Sequence, residues 1–308
     1  MESLKHTQEG SSPVSRLRRC DLRRRWWVTI GAVVAIAVIL AVVIPLALIL
    51  PNRGNKGDKG EPSSVIFPLY IYPETNSTWA PLYNAISTHP NLQFLVVLNP
   101  SSGPGNSSTP DETYQTAIQR LDTYPNVQKI GYVRTNYAQR NVSEVLTDVS
   151  TYSGWQSQSA DLAMAGIFFD ESPHQYAAET VEYLERINAA VINASGIEGK
   201  KTVIHNPGTI PDSQLILNTT SITVVFEQSY DHYKTSQESR LNALADSAGR
   251  DSWAYIFHSV PQMSNTSMDS FVRGISRQAA YLFATTRATE YYERFDASLE
   301  EFCDAVPT

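Results

Sequence analysis

The chain has 308 residues, 42% hydrophobic and 18% charged, with 24 Lys and Arg against 31 Asp and Glu for a formal charge of −7. That composition excludes an intrinsically disordered chain. The charge is unevenly placed: residues 1–60 hold 10 basic and 4 acidic side chains, residues 61–308 hold 14 and 27. An acidic body argues against a nucleic-acid partner.

Residues 1–27 read as a basic tail. From Val28 to Leu50 there is no charged residue, a 23-residue run long enough to cross a bilayer. It is longer and farther from the N-terminus than the apolar region of a signal peptide. Arg16, Arg18, Arg19, Arg23, Arg24 and Arg25 precede it, and Trp26 and Trp27 fall at the membrane interface. The positive-inside rule then predicts a cytoplasmic N-terminus and an extracellular body. This is a type II single-pass topology at the plasma membrane or cell surface. Residues 51–64, PNRGNKGDKGEPSS, read as a flexible stalk.

Six Asn-X-Ser/Thr sequons follow, at Asn76, Asn106, Asn141, Asn193, Asn218 and Asn265. They are expected to carry N-glycans in a eukaryotic secretory protein. Asn141, Asn193 and Asn265 are expected beside helices, away from any catalytic rim, and Asn106 near it. The two cysteines, Cys20 and Cys303, fall on opposite sides of the membrane in this topology, so the fold is not disulfide-built. Cys20 is a juxtamembrane palmitoylation candidate, although a bystander thiol is the simpler reading.

From residue 65 to 308 the pattern is one domain. Short apolar, β-branched or aromatic runs predict strands at 65–73, 92–100, 127–135, 164–172, 201–208, 221–229, 252–260 and 278–286. Helical patterns fill 111–123, 175–194, 235–248 and 264–277. Eight strands alternating with helices predict a (β/α)8 TIM-type barrel. An open doubly wound sheet is the competitor. Its nucleotide-binding version would place a G-x-G-x-x-G or P-loop after the first strand, and neither is there.

A barrel carries its chemistry at the C-terminal strand ends. In chain order those ends present Tyr70 and Tyr72, Asn99, Tyr132 and Arg134, then Asp170 and Glu171, His205 and Asn206, Glu227 and Tyr230, and His258. Asp170 and Glu227 each follow an apolar run, GIFF and TVVF, so burial should raise their carboxyl pKa values. A pair of such acids is what glycoside hydrolysis needs. The competing reading is ion pairing with Arg134 or the histidines. A metal-dependent deacetylase built on His205, His258 and Asp170 is a further alternative, without H-x-x-E-H or H-E-x-x-H spacing to support it. No G-x-S-x-G elbow is present for a serine hydrolase. Rim tyrosines such as Tyr70, Tyr72, Tyr132 and Tyr230 are candidates for stacking on sugars.

The segments PLYIYP, LNPSSGPG, GYVRTNY, GIFFDE, HNPG and VVFEQSY, in that order, resemble the spherulin 4 family, glycoside hydrolase family 135. The resemblance covers about residues 65–305 and includes fungal members with an N-terminal anchor. It implies a (β/α)8 endo-hydrolase of α-1,4-N-acetylgalactosaminyl linkages in galactosaminogalactan, a fungal exopolysaccharide of biofilms. The family's motif acids fall on Asp170, Glu171 and Glu227. The expected roles are Asp170 as nucleophile, Glu227 as general acid/base and Glu171 as an orienting group, with retention of configuration. No cofactor or metal is expected. The expected partners are the polysaccharide and, through residues 28–50, the membrane, with a monomeric body. A surface protein that binds glycan without turnover is the alternative from another class.

Overall fold

The computed structural model describes residues 60–247 and 249–308. The basic tail, the apolar run 28–50, Cys20 and stalk residues 51–59 lie outside the described residues. Among the described residues no helix is long and apolar enough to cross a membrane.

Eight parallel strands close into a barrel in sequence order. They are β1 (Ser64–Leu69), β2 (Phe94–Leu98), β3 (Val127–Arg134), β4 (Met164–Asp170), β5 (Ile197–Asn206), β6 (Ile222–Ser229), β7 (Trp253–His258) and β8 (Tyr281–Ala284). Every expected strand is present. The outer layer holds α1 (Ala80–Thr88), α2 (Glu112–Asp122), α3 (Val142–Gln158), α4 (Ala178–Asn193), α5 (Glu238–Ser247), α6 (Asn265–Ser276) and α7 (Leu299–Ala305). The helical turn Tyr230–His232 and a π-helical turn Tyr233–Gln237 lead into α5. Between β5 and β6 only a 3-10 turn, Ser213–Leu215, takes the place of a helix.

Local chemistry sets the helix starts. The Asp111 side chain accepts from the Tyr114 amide at 2.9 Å to cap α2, and Asn141 accepts from the Ser143 amide at 3.0 Å to cap α3. Strands such as β2, FLVVL, are buried on both faces, as a barrel wall between core and helices requires. Gly131 on β3 is fixed by packing, because a Cβ there would come within 2.9 Å of the Tyr152 ring on α3. Cys303 is buried in α7, where desolvation pushes its thiol pKa up.

The expected stalk ends sooner than its composition suggests. Glu61 N donates to Ser276 Oγ at 3.1 Å and Ser63 N to the Pro307 carbonyl at 2.8 Å. Residues 60–63 are therefore clasped to the barrel. Gly60 is required there: its φ is +70° and a Cβ would meet Ser276 Oγ at 2.5 Å.

Candidate active site

Parallel register brings the strand ends level. Arg134 pairs with Asp170, Asp170 with Asn206, and Ser229 with His258 across neighbouring strands. Alternation then selects which side chains meet inside the mouth. Asn206 Nδ2 donates to Asp170 Oδ1 at 2.8 Å and to Glu227 Oε2 at 2.6 Å. Those two carboxylate oxygens can be no farther apart than the sum of these lengths, 5.4 Å. The Asn206 carbonyl oxygen accepts from Gly208 N at 3.0 Å, so the amide has one orientation and each of its two hydrogens serves one acid.

The outer oxygen of each acid takes a phenol. Tyr132 donates to Asp170 Oδ2 at 2.8 Å, and Tyr292 donates to Glu227 Oε1. Tyr70 closes the circuit, edge-to-face on Tyr132 and on Tyr292 with ring centroids 5.3 Å away in both cases. The result is a ring of six side chains: Tyr132, Asp170, Asn206, Glu227, Tyr292 and Tyr70. It contains no cation.

Burial therefore dominates the electrostatics. Desolvation raises the pKa of Asp170, against donors from Tyr132, the Glu171 amide and Asn206. Desolvation also raises Glu227, and the Asp170 charge raises it further, against only Tyr292 and Asn206. Glu227 thus has the poorer set of donors and is the better place for a proton. The three ring tyrosines are pushed well up by burial and by the acids, so they stay protonated donors.

Glu171 stands apart from the ring. Its Oε1 lies 2.9 Å from Arg134 Nε, while its buried Oε2 has no hydrogen-bond partner. Its φ is +50°, and Asn136, Tyr137 and Ala138 are also left-handed, at +49°, +55° and +65°. A left-handed L-residue costs about 1–2 kcal/mol, so this corner is held against strain. Thr135 Oγ1 donates to the carbonyls of Asp170 and Glu171 at 2.9 and 2.8 Å, and Tyr137 N donates to the Glu171 carbonyl at 2.6 Å.

A profile of the spherulation-specific family 4 matches residues 64–306. The chain belongs to this family. It is 30% identical over 206 residues to Spherulin-4 of Physarum polycephalum, covering 67% of this chain and 57% of that protein. The chain thus spans less than two thirds of that relative's length. Among solved structures, Sph3 of Aspergillus clavatus in complex with GalNAc is 40% identical, with a TM-score of 0.77 over 81% of this chain and 99% of that one.

In this spherulation-specific barrel, several residues expected at the site stand elsewhere. His205 is the clear correction. Its strand parity is opposite to that of Asn206, so it points outward, where Nε2 meets Asn188 Oδ1 of α4 at 2.7 Å. Burial lowers its pKa to about 3. The set His205, His258 and Asp170 weighed for a deacetylase is therefore not assembled. Among the described residues no three His, Cys, Asp or Glu side chains are grouped to hold a metal. Tyr230 packs edge-to-face on Phe271 between helical elements, and Asn99 accepts from Gly103 N at 3.2 Å to shape the loop after β2. Tyr72 is half exposed beside Tyr114. His258 stacks on Tyr291 at 4.6 Å, and Tyr291 meets the ring member Tyr292 at 4.5 Å.

All six sequon asparagines are exposed. Two placements differ from expectation: Asn141 caps the start of α3 and Asn265 begins α6. Helices run back against their strands in this fold, so both stand toward the rim rather than away from it.

Proposed function

We propose that the protein is an endo-acting glycoside hydrolase that cleaves α-1,4-N-acetylgalactosaminyl linkages in galactosaminogalactan, without a metal and with retention. One observation carries the reading: two half-buried acids share one amide nitrogen at the barrel mouth with no cation between them. Retaining enzymes place their carboxyl groups about 5–5.5 Å apart, against about 6.5–9.5 Å in inverting ones, and the two inner oxygens here, held on one nitrogen, are at most 5.4 Å apart, a proximity that supports the retaining reading. The GalNAc held by Sph3 supports a galactosamine-type sugar.

In this mechanism Glu227 passes its proton to the glycosidic oxygen as Asp170 attacks C1. The C1–O bond to the leaving sugar breaks and a C1–O bond to Asp170 forms. Glu227, now a carboxylate, takes a proton from water, whose oxygen displaces Asp170. The 2-acetamido group of an α-linked galactosamine is cis to the leaving oxygen, so it cannot attack from behind. In a retaining reaction an enzyme carboxylate does so instead. Tyr70, Tyr132 and Tyr292 form the floor under the sugar, and Glu171, paired with Arg134, orients the groups around Asp170. His258 lies behind Tyr291 and acts through it.

The charge-free run 28–50, its arginine flank and the sequons beyond it support a type II anchor with the barrel outside the cell.

The test incubates residues 60–308 with galactosaminogalactan, beside Asp170→Asn and Glu227→Gln and with chelator in parallel. Oligosaccharides released by wild type, unaffected by chelator and absent from both variants, are the expected result. Loss of activity in chelator would move the assignment to a metal enzyme. Polymer bound but left intact by wild type would move it to a glycan-binding protein.

A further inference from the structure

Among the described residues, the exposed large hydrophobic side chains are Tyr72 at 48%, Tyr137 at 50%, Tyr176 at 51% and Ile192 at 40%. The three tyrosines share a location. Each sits on a loop that leaves a C-terminal strand end: Tyr72 after β1, Tyr137 after β3 and Tyr176 after β4. Scattered exposed aromatics need no explanation, but three on one rim do. Tyr72 leans on Tyr114, whereas Tyr137 and Tyr176 have no ring partner among the described residues.

Their backbones are nevertheless held firmly. Tyr137 is the centre of the left-handed run Asn136–Ala138, and its amide is bonded to the carbonyl of Glu171, next to Asp170. Arg140 braces the same loop, donating to the Arg134 carbonyl at 3.1 Å and to Asp148 Oδ2 at 2.6 Å. The Tyr176 amide donates to Asp212 Oδ2 at 2.8 Å, and Asp212 N donates to the His174 carbonyl at 2.9 Å, tying the loops after β4 and β5 together. A pinned main chain carrying an unpacked ring is the design of a ligand platform, because the ring's position is fixed before anything binds.

We propose that Tyr137 and Tyr176 are stacking platforms for sugar residues of the polymer flanking the cleaved bond on the β3–β4 side. This rests on the hydrolase reading and extends it to the recognition of a chain rather than one sugar. The chemistry suits galacto-configured rings. Their axial O4 lies on one face, leaving C3–H, C4–H and C5–H as an apolar patch on the other. That patch matches a phenol ring.

The test uses the full chain in detergent. Tyr137→Ala and Tyr176→Ala should each raise KM for galactosaminogalactan about five- to tenfold, with kcat within about twofold. The phenylalanine variants should restore KM. Retardation in polymer-containing native gels, with Glu227→Gln as the parent, should fall in the same order. A drop in kcat at constant KM, or unchanged retardation in both alanine variants, would overturn the proposal. Tyr137→Gly supplies a structural control: glycine relieves the left-handed φ, so its melting temperature should equal or exceed that of wild type while KM stays raised. A fall of several degrees would mean a packed ring and would also overturn it. If wild type retards in the gel but cleaves nothing, the hydrolase reading falls and the platforms are judged on retardation alone. If wild type neither cleaves nor retards, both fall.

Discussion

Arg134 reaches Glu171 and not Asp170: its Nε stands 2.9 Å from Glu171 Oε1. The one basic side chain at this strand end therefore neutralises the neighbour of the central pair. Asp170 feels the Glu171 charge as a raising influence.

Glu171→Gln removes that charge and frees Arg134, and both changes lower the Asp170 pKa. The acid limb of the rate profile should move to lower pH, with kcat reduced by about tenfold. Asp170→Asn and Glu227→Gln should each lose on the order of 10³-fold or more. Initial rates from pH 3 to 8 separate the two behaviours. An acid limb that moved upward in Glu171→Gln would refute the assignment.

The two phenols should control opposite limbs. In the proposed mechanism turnover needs Asp170 ionised and Glu227 protonated, so it falls at low pH through Asp170 and at high pH through Glu227. Tyr132 donates to Asp170 and holds its pKa down. Tyr132→Phe should lift the acid limb and narrow the active range. Tyr292 does the same for Glu227, so Tyr292→Phe should carry the alkaline limb upward and widen the range. The profiles of kcat/KM for the two variants check both signs. The limbs belong to a coupled pair, so each shift is read on the whole curve.

Much of this arrangement is legible in the sequence. The acids announced themselves because each ends an apolar run at a strand terminus. The eight strands were visible for the same reason. What failed was parity and partnership. His205 and Asn206 are adjacent in sequence, and only the sheet decides that Asn206 faces the mouth and His205 the helices. Tyr292 had no signal at all, since it lies in the charged stretch ATEYYERFD with neither period. Helix α3, VSEVLTDVSTYSGWQSQ, carries a weak sequence signal because its Ser and Thr blur the apolar stripe that Val145, Val149 and Tyr152 form. The connection between the expected fifth and sixth strands, residues 209–220, is the shortest, and its length leaves little room for a helix.

Asp296 shapes the loop that delivers Tyr292. Burial alone would raise its carboxyl, but Thr285 Oγ1 at 2.6 Å, Ser298 N at 3.0 Å and Thr286 outweigh it and hold the pKa at about 2. A depressed carboxylate stabilises the fold above its unfolded pKa, and that stability is lost as pH falls through the folded one. Asp296→Asn should cost about 1–2 kcal/mol at pH 7. The gap from wild type should close between pH 4 and pH 2 in urea melts. A gap constant with pH would contradict the account. Activity should fall along with stability, through displacement of Tyr292.

Gly131→Ala should cost about 1–3 kcal/mol, because the added methyl strikes the Tyr152 ring. That ring is anchored by its hydroxyl to the Leu98 carbonyl at 3.2 Å, so it cannot simply swing away. Urea denaturation of Gly131→Ala, Tyr152→Leu and the double variant measures the clash. The double variant should be less destabilised than the sum of the singles.

The position of Tyr292 in the chain has a consequence for biosynthesis. Asp170, Glu171 and Glu227 are all made before β7 and β8 exist, yet the phenol that seats Glu227 arrives only after the last strand. A nascent barrel emerging from the ribosome thus carries its acids without the group that aligns them. Under the proposed mechanism, competence then arrives as a late event, set by the docking of residues 285–298, and a chain stalled before that point holds its acids unaligned.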